Sequence, residues 1–170
     1  MNTWPQPTPT SPIPGPTFPI AATLSASPEL MSRKRILIVD DSVIVLKTLS
    51  MKLKSSGYDV LTAADGAAAV STARREKPDL ILLDISFPPD VGHGGGVPWD
   101  GFLIMNWLHR MDEAKDIPII IITSSEPSKY KDRSMAAGAI GYFQKPINND
   151  ELLACIRETL GQTAGAAPQS

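Results

Sequence analysis

Five polar residues stand at or just after the ends of short apolar segments, and together they could carry phosphoryl chemistry. These residues are Asp40, Asp41, Asp84, Thr123 and Lys145. Clustered carboxylates repel one another and need a cation, and oxygen ligands without His or Cys favour Mg²⁺ (or Mn²⁺). A carboxylate beside such a cation can act as the nucleophile toward a phosphoryl group. A lysine can neutralise charge on that group, and a threonine hydroxyl can hydrogen-bond one of its oxygens.

The apolar segments alternate with amphipathic ones, and this alternation predicts five strands and five helices. The predicted strands are Ile36–Asp40, Tyr58–Ala63, Leu80–Asp84, Ile117–Thr123 and Ile140–Phe143. The predicted helices are Val43–Ser56, Gly66–Glu76, Gly101–Met111, Pro127–Ala137 and Asn149–Leu160. Such alternation predicts an α/β fold with a parallel sheet that is covered on both faces.

The predicted sheet brings the five polar residues together. Ligands of open α/β sheets bind outside the carboxyl ends of the strands, where these residues stand. An Asp after a strand is also common as a turn former or helix cap, so each residue alone has an ordinary explanation. The coincidence of all five at one edge favours a site.

The same residues resemble the receiver domain of bacterial two-component response regulators, in particular the single-domain chemotaxis-regulator type. The motifs that carry the resemblance are, in chain order, Ile36–Asp41, Asp84 with Pro88, Thr123 and Lys145-Pro146. The resemblance covers about residues 33–160. It implies a flavodoxin-like (βα)5 three-layer sandwich whose parallel five-stranded sheet has the order 2-1-3-4-5.

The resemblance also implies a role for each residue near the predicted acceptor. Asp84 would be the phospho-acceptor, and Lys145 would pair with the phosphoryl group. Asp41 would bind Mg²⁺ (or Mn²⁺) directly, with Asp40 beside it holding the water shell of the metal. Asp84 and the backbone carbonyl of Ser86 would complete the metal site.

A switch pair and a signalling face follow from the same resemblance. Thr123 would move toward the phosphoryl group, and Tyr142 would turn inward as it does so. The Lys145-Pro146 peptide bond is expected to be cis. The fourth helix, fifth strand and fifth helix would form the signalling face, which here includes Lys129, Tyr130, Arg133 and Tyr142.

The function implied by the resemblance is phosphorelay signal transduction without an enzyme role beyond the domain's own phosphoryl chemistry. The donor would be a sensor histidine kinase or a histidine phosphotransfer protein, and the output would pass to an unknown downstream protein. A pseudo-receiver, with the fold but without phosphorylation, remains the alternative. A phosphatase-type hydrolase is less favoured, because Ser86 stands where those enzymes place a second Asp.

The composition predicts a cytoplasmic protein that binds neither nucleic acid nor membrane. The 16 basic and 18 acidic residues give no electrostatic footprint for either partner. No apolar run approaches the length of a membrane span. We expect a monomer or weak dimer. Cys155 is expected to be a buried inert thiol and Trp107 to lie in the core.

Both ends differ from the predicted domain. Residues 1–32 hold 8 of the 16 prolines and a single charged residue, Glu29, which predicts a disordered Pro-rich tail. Met31 offers an alternative start of translation. Residues 161–170 are predicted to be a flexible tail, with no output domain after the fifth helix.

The loop after the third strand departs from the family pattern. Eleven residues, Pro89–Trp99, separate Pro88 from the Asp100-Gly101 pair, where the family has about two. The hypothesis is that this insert modulates access to Asp84. The alternative is a tolerated surface insertion, because loops absorb extra length at small entropic cost.

Overall fold

A computed structural model of the chain describes residues 33–86 and 100–161. The predicted N-terminal tail 1–32, residues 162–170 of the predicted C-terminal tail 161–170, Pro88 and the insert Pro89–Trp99 lie outside these residues. Five strands and five helices alternate along the described chain, so the predicted fold class is confirmed. None of the described helices is long and apolar enough to cross a membrane.

The strands form one parallel sheet with the order β2-β1-β3-β4-β5, as predicted. They are Arg35–Val39 (β1), Asp59–Ala63 (β2), Leu80–Leu83 (β3), Ile119–Thr123 (β4) and Gly141–Gln144 (β5). Val39 of β1 pairs with Leu83 of β3, and Leu83 pairs with Ile121 of β4. The residues that follow β1 and β3 therefore lie side by side at the carboxyl edge.

Four of the five described helices are capped by the side chain of the residue before them, and the fourth helix instead begins with a proline. They are Val43–Ser55 (α1), Gly66–Glu76 (α2), Gly101–Arg110 (α3), Pro127–Ala136 (α4) and Asn149–Thr159 (α5). The side chains of Asp65 and Asp100 accept hydrogen bonds from the backbone N–H groups of Ala68 and Leu103, each at 2.7 Å. These bonds satisfy donors that a helix leaves unpaired in its first turn.

Two apolar cores cover the two faces of the sheet, which makes the three-layer sandwich. On one face the strand side chains pack with α2 and α3, whose buried residues are Ala69, Ala73, Ile104, Met105 and Leu108. On the other face they pack with α1 and α5, whose buried residues are Leu46, Leu49, Leu53, Leu152, Leu153 and Ile156. Successive strand residues point to opposite faces, so the uninterrupted Ile and Leu runs are explained by burial on both sides.

Two expectations about individual side chains need correction. Trp107 is 50% exposed and does not lie in the core. Helix α3 turns about 100° per residue, and its buried stripe is set by Ile104, Met105 and Leu108, which leaves Trp107 beyond the edge. Cys155 is only half-buried. Burial still raises the pKa of its thiol, which agrees with low reactivity.

Candidate functional site

Three carboxylates meet at the carboxyl edge of the sheet, between the ends of β1 and β3. One carboxylate oxygen from each of Asp40, Asp41 and Asp84 lies within 4.8 Å of the others. Asp40 and Asp84 are buried, whereas Asp41 is exposed to solvent. Parallel pairing of β1 with β3 is what places Asp40 and Asp84 beside each other.

Lys145 bridges the two buried carboxylates. Its Nζ atom lies 2.5 Å from Oδ2 of Asp40 and 2.7 Å from Oδ2 of Asp84. The end of β5 fixes this position, because the backbone N–H of Lys145 donates to the carbonyl of Thr123 at 2.8 Å. The Lys145-Pro146 peptide bond is cis, as expected.

The remaining oxygens of both buried carboxylates accept backbone hydrogen bonds. Oδ1 of Asp40 accepts from the N–H of Ser42 at 2.8 Å, and Oδ1 of Asp84 accepts from the N–H of Ser86 at 2.7 Å. Each aspartate thus bonds the amide two residues later with one oxygen and Lys145 with the other. These contacts fix the orientation of both carboxyl groups before any ligand arrives.

Burial and ion pairing shift the pKa values of the site residues in opposite directions. Burial raises the pKa of Asp40, although its hydrogen bonds from Lys145 and Ser42 oppose this. Burial alone would lower the pKa of Lys145, but its hydrogen bonds to Asp40 and Asp84 outweigh that effect and raise it. Lys145 is therefore a cation at neutral pH and supplies positive charge next to Asp84.

Glycine is required where α3 begins beside Asp84. A Cβ atom on Gly101 would lie 2.4 Å from the Cα of Ile85 and 2.7 Å from the backbone oxygen of Asp84. Both neighbours are backbone atoms, which cannot move aside cheaply. The Asp100-Gly101 pair therefore caps α3 and also lets its first turn approach the backbone of Asp84 and Ile85.

A group of hydroxyls lies beside the carboxylates. The hydroxyl of Thr123 is buried and lies 2.5 Å from that of Ser86. Ser86 Oγ also lies 3.0 Å from Ser125 Oγ, and Tyr142 donates its hydroxyl to the backbone carbonyl of Ser125 at 2.9 Å. Burial raises the pKa of Tyr142, with the Asp84 charge adding to the effect. The tyrosine is therefore a protonated donor at neutral pH.

Ser125 was not predicted to be a site residue, and Ser86 was expected to contribute only its backbone carbonyl. The only available signal was that both are hydroxyl residues two positions after a predicted site residue. Asp40, Asp41, Asp84 and Lys145 come together as predicted. Thr123 reaches Tyr142 through Ser125.

The donor set fits a hard divalent cation. Three carboxylate oxygens close together favour Mg²⁺ or Mn²⁺, and the exposure of Asp41 leaves room for the waters that Mg²⁺ retains. Asp40, Asp41 and Asp84 are the residues that would hold such an ion. The expected contribution of the Ser86 backbone carbonyl remains a prediction.

A family model described as response regulator receiver domain matches residues 36–157. The chain belongs to this family. Among its curated relatives, protein PilH of Pseudomonas aeruginosa is 36% identical over 126 residues, which is 74% of this chain and 97% of PilH. The transcriptional regulator RpaA of Synechocystis is 34% identical over 129 residues, 76% of this chain and 50% of RpaA. This receiver domain chain thus spans about half the length of RpaA and of several other transcriptional regulators that it matches.

Solved structures of receiver domains and of chemotaxis proteins share this fold. Chemotaxis protein CheY4 of Vibrio cholerae has a TM-score of 0.66 and 30% identity, covering 75% of this chain and 99% of CheY4. The receiver domain of sensor histidine kinase PA1611 of Pseudomonas aeruginosa has a TM-score of 0.64 and 29% identity, covering 76% and 99%. In that structure a magnesium ion is coordinated in the active site cleft.

Proposed function

We propose that this receiver domain accepts a phosphoryl group on Asp84 from a sensor histidine kinase or a histidine phosphotransfer protein, in a reaction that depends on Mg²⁺ (or Mn²⁺). The observation that carries the proposal is the fixed pairing of Asp84 with Lys145, at 2.7 Å, inside a cluster of three carboxylates. Family membership and the magnesium in the PA1611 receiver domain support it.

The chemistry is nucleophilic displacement at phosphorus. An Asp84 carboxylate oxygen forms the new P–O bond while the P–N bond of the donor phosphohistidine breaks, and the imidazole keeps the electron pair and takes up a proton. The Lys145 ammonium neutralises charge on the phosphoryl oxygens, and a bound divalent cation would supply further positive charge there. Asp40 positions Lys145 and would help to hold the metal.

The surface beside the site suits a protein donor. Val43 and Ile44, at the start of α1, are 59% and 78% exposed although both are apolar. Ile44 also lines a groove with Pro146 and Ile147, next to Lys145. Exposed apolar side chains grouped at one place mark interaction surfaces, so we assign this one to the donor protein.

The output of the switch is proposed to leave through α4, β5 and α5. On that side Lys129 lies over the ring of Tyr130, with Nζ 5.1 Å from the ring centroid. Arg133 stacks on the ring of Phe102 of α3 at 3.8 Å. Movement of Thr123 and Tyr142 on phosphorylation would change this surface for a downstream protein.

The decisive experiment measures phosphoryl transfer from acetyl phosphate in the presence of Mg²⁺, by intact-protein mass. Wild type should gain one phosphoryl group, Asp84→Asn should gain none, and the control Asp59→Asn, altered at the start of β2, should match wild type. If folded wild type gains nothing, the pseudo-receiver alternative is favoured. If Asp84→Asn gains as much as wild type, another residue is the acceptor.

A further inference from the structure

Ser125 contacts the two proposed switch residues and Ser86 with three different polar groups. Its backbone N–H donates to Oγ1 of Thr123 at 3.2 Å. Its hydroxyl lies 3.0 Å from that of Ser86, and its carbonyl accepts from Tyr142 at 2.9 Å. One residue thus contacts the group beside the acceptor and the tyrosine on the signalling face.

Ser86, two residues after Asp84, closes the connection. Its hydroxyl lies within hydrogen-bond distance of both Thr123 and Ser125, at 2.5 and 3.0 Å. Thr123 is fully buried, so its hydroxyl needs hydrogen-bond partners inside the protein. A consistent arrangement has Thr123 accepting from the Ser125 amide and donating to Ser86, which in turn donates to Ser125.

We propose that Ser86 and Ser125 are positioning residues that couple Thr123 to Tyr142 through this hydroxyl junction. Any phosphoryl oxygen that attracts the Thr123 hydroxyl must compete with Ser86 for it. When Thr123 leaves Ser86, Ser125 loses contacts that hold the carbonyl to which Tyr142 is bonded. The side chain of Ser86 therefore sets how firmly Tyr142 is held.

This inference deepens the proposed function and rests on it for its role in signalling. The coupling itself is a property of the unmodified domain. Its test can therefore be read without phosphorylation, and the two proposals can fail separately.

The test uses the full chain labelled with ¹³Cζ-tyrosine, without phosphodonor or metal. The chain has three tyrosines, so the spectrum is simple, and Tyr142→Phe assigns the Tyr142 resonance. Ser86→Ala removes the junction hydroxyl but leaves the backbone N–H that holds Asp84. Ser86→Thr restores a hydroxyl, and Ser55→Ala removes an exposed hydroxyl at the end of α1 as the matched control.

In Ser86→Ala we expect the Tyr142 resonance to shift or broaden, while buried Tyr58 stays unchanged as the internal reference. If the whole loss of one neutral hydrogen bond is transmitted to Tyr142, its released population grows by roughly fivefold at most. Ser86→Thr should restore the wild-type resonance, and Ser55→Ala should leave it in place. An unchanged Tyr142 resonance in folded Ser86→Ala overturns the proposal.

Ser125→Ala provides an independent variant if Ser86→Ala does not fold. It removes the Ser86 to Ser125 contact but keeps the backbone groups of residue 125. A perturbed Tyr142 resonance beside an unchanged Tyr58 resonance supports the junction. An unchanged Tyr142 resonance contradicts it. If wild type fails to gain phosphate while Ser86→Ala perturbs Tyr142, the junction stands and the proposed phosphorylation fails.

Discussion

Lys145 is the counter-charge for two carboxylates that have been removed from water. Its side chain is 17% exposed, and those of Asp40 and Asp84 are 0% and 4% exposed. Removing one partner of a buried ion pair leaves charge without compensation, which is more costly than losing the attraction alone. This lysine should therefore matter for stability even without phosphorylation.

Lys145→Met should lower the free energy of unfolding by roughly 3 kcal/mol at neutral pH. Urea unfolding with a chelator present measures this without compensation by a divalent cation. Lys131→Met, which changes an exposed lysine of α4, is the matched control and should change stability by less than about 0.5 kcal/mol. Equal effects of the two substitutions would contradict the assigned role of Lys145.

Asp41 provides the corresponding test of the metal site, because it is exposed and its substitution leaves the core intact. A ligand that binds only the folded state stabilises it, by about 2.7 kcal/mol at one hundred times its Kd. Adding Mg²⁺ should raise the Tm of wild type and of the control Asp59→Asn. The increase should be much smaller in Asp41→Asn. An equal increase in all three proteins would remove Asp41 from the metal site.

At the scale of elements, the packing of α3 on β3 depends on the missing side chain of Gly101. Gly101→Ala would place a methyl group against backbone of Asp84 and Ile85. We expect a loss of about 2–3 kcal/mol in stability from this overpacking, together with weaker Mg²⁺ binding as Asp84 is displaced. Chemical denaturation and a Mg²⁺ titration followed by Tm measure the two effects. Gly57→Ala, where the added Cβ meets nothing within 4 Å but φ is +91°, separates backbone strain from steric contact.

Asp79 joins β1 to the turn before β3 at the opposite edge of the sheet. It accepts from Lys34 Nζ at 2.9 Å and from the backbone N–H of Arg35 at 2.8 Å. Burial alone would raise the pKa of Asp79, but these hydrogen bonds and charges outweigh it and lower the pKa. The stabilisation is therefore present above the unfolded-state pKa of about 3.9 and is lost as the pH falls through the lower folded-state value.

Asp79→Asn should accordingly reduce stability by roughly 1 kcal/mol at neutral pH, a value kept small because the side chain is about a third exposed. The difference from wild type should shrink in acid, where both proteins lack the charge. Urea unfolding across the acid range checks the sign. A difference that grows as the pH falls would show that the ion pair is not its cause.

Much at the element scale could be predicted from sequence, because strand burial and helix capping are local patterns. The Ile and Leu runs located the strands, although β4 begins at Ile119 and not at Ile117, after the non-donating Pro118. The positions of the carboxylates and of Lys145 could be predicted because they stand at the ends of strands.

The Ser86 to Ser125 contact could not be predicted, because it depends on how two loops approach and on side-chain rotamers. Exposed Trp107 was misplaced because hydrophobicity alone does not say which face of α3 is buried.

At the scale of the whole molecule, the sheet is shared by two cores, and this should make them unfold together. Ile120 and Ile121 are adjacent in β4 and point into opposite cores. Tyr58 belongs to the α1 and α5 core, while Tyr142 packs against the α2 and α3 core, so their ¹³Cζ resonances report separately on the two faces.

Ile120→Ala and Ile121→Ala should each lower stability by about 3 kcal/mol, because each removes buried methyl and methylene groups and leaves a cavity. If the domain unfolds in one transition, either substitution moves the urea midpoints of both tyrosine resonances by the same amount. If the cores were independent, Ile120→Ala would move the Tyr58 midpoint and leave that of Tyr142 in place. The backbone hydrogen bonds of β4 to both β3 and β5 argue for the common transition, since neither face can lose its helices without exposing the strands that support the other.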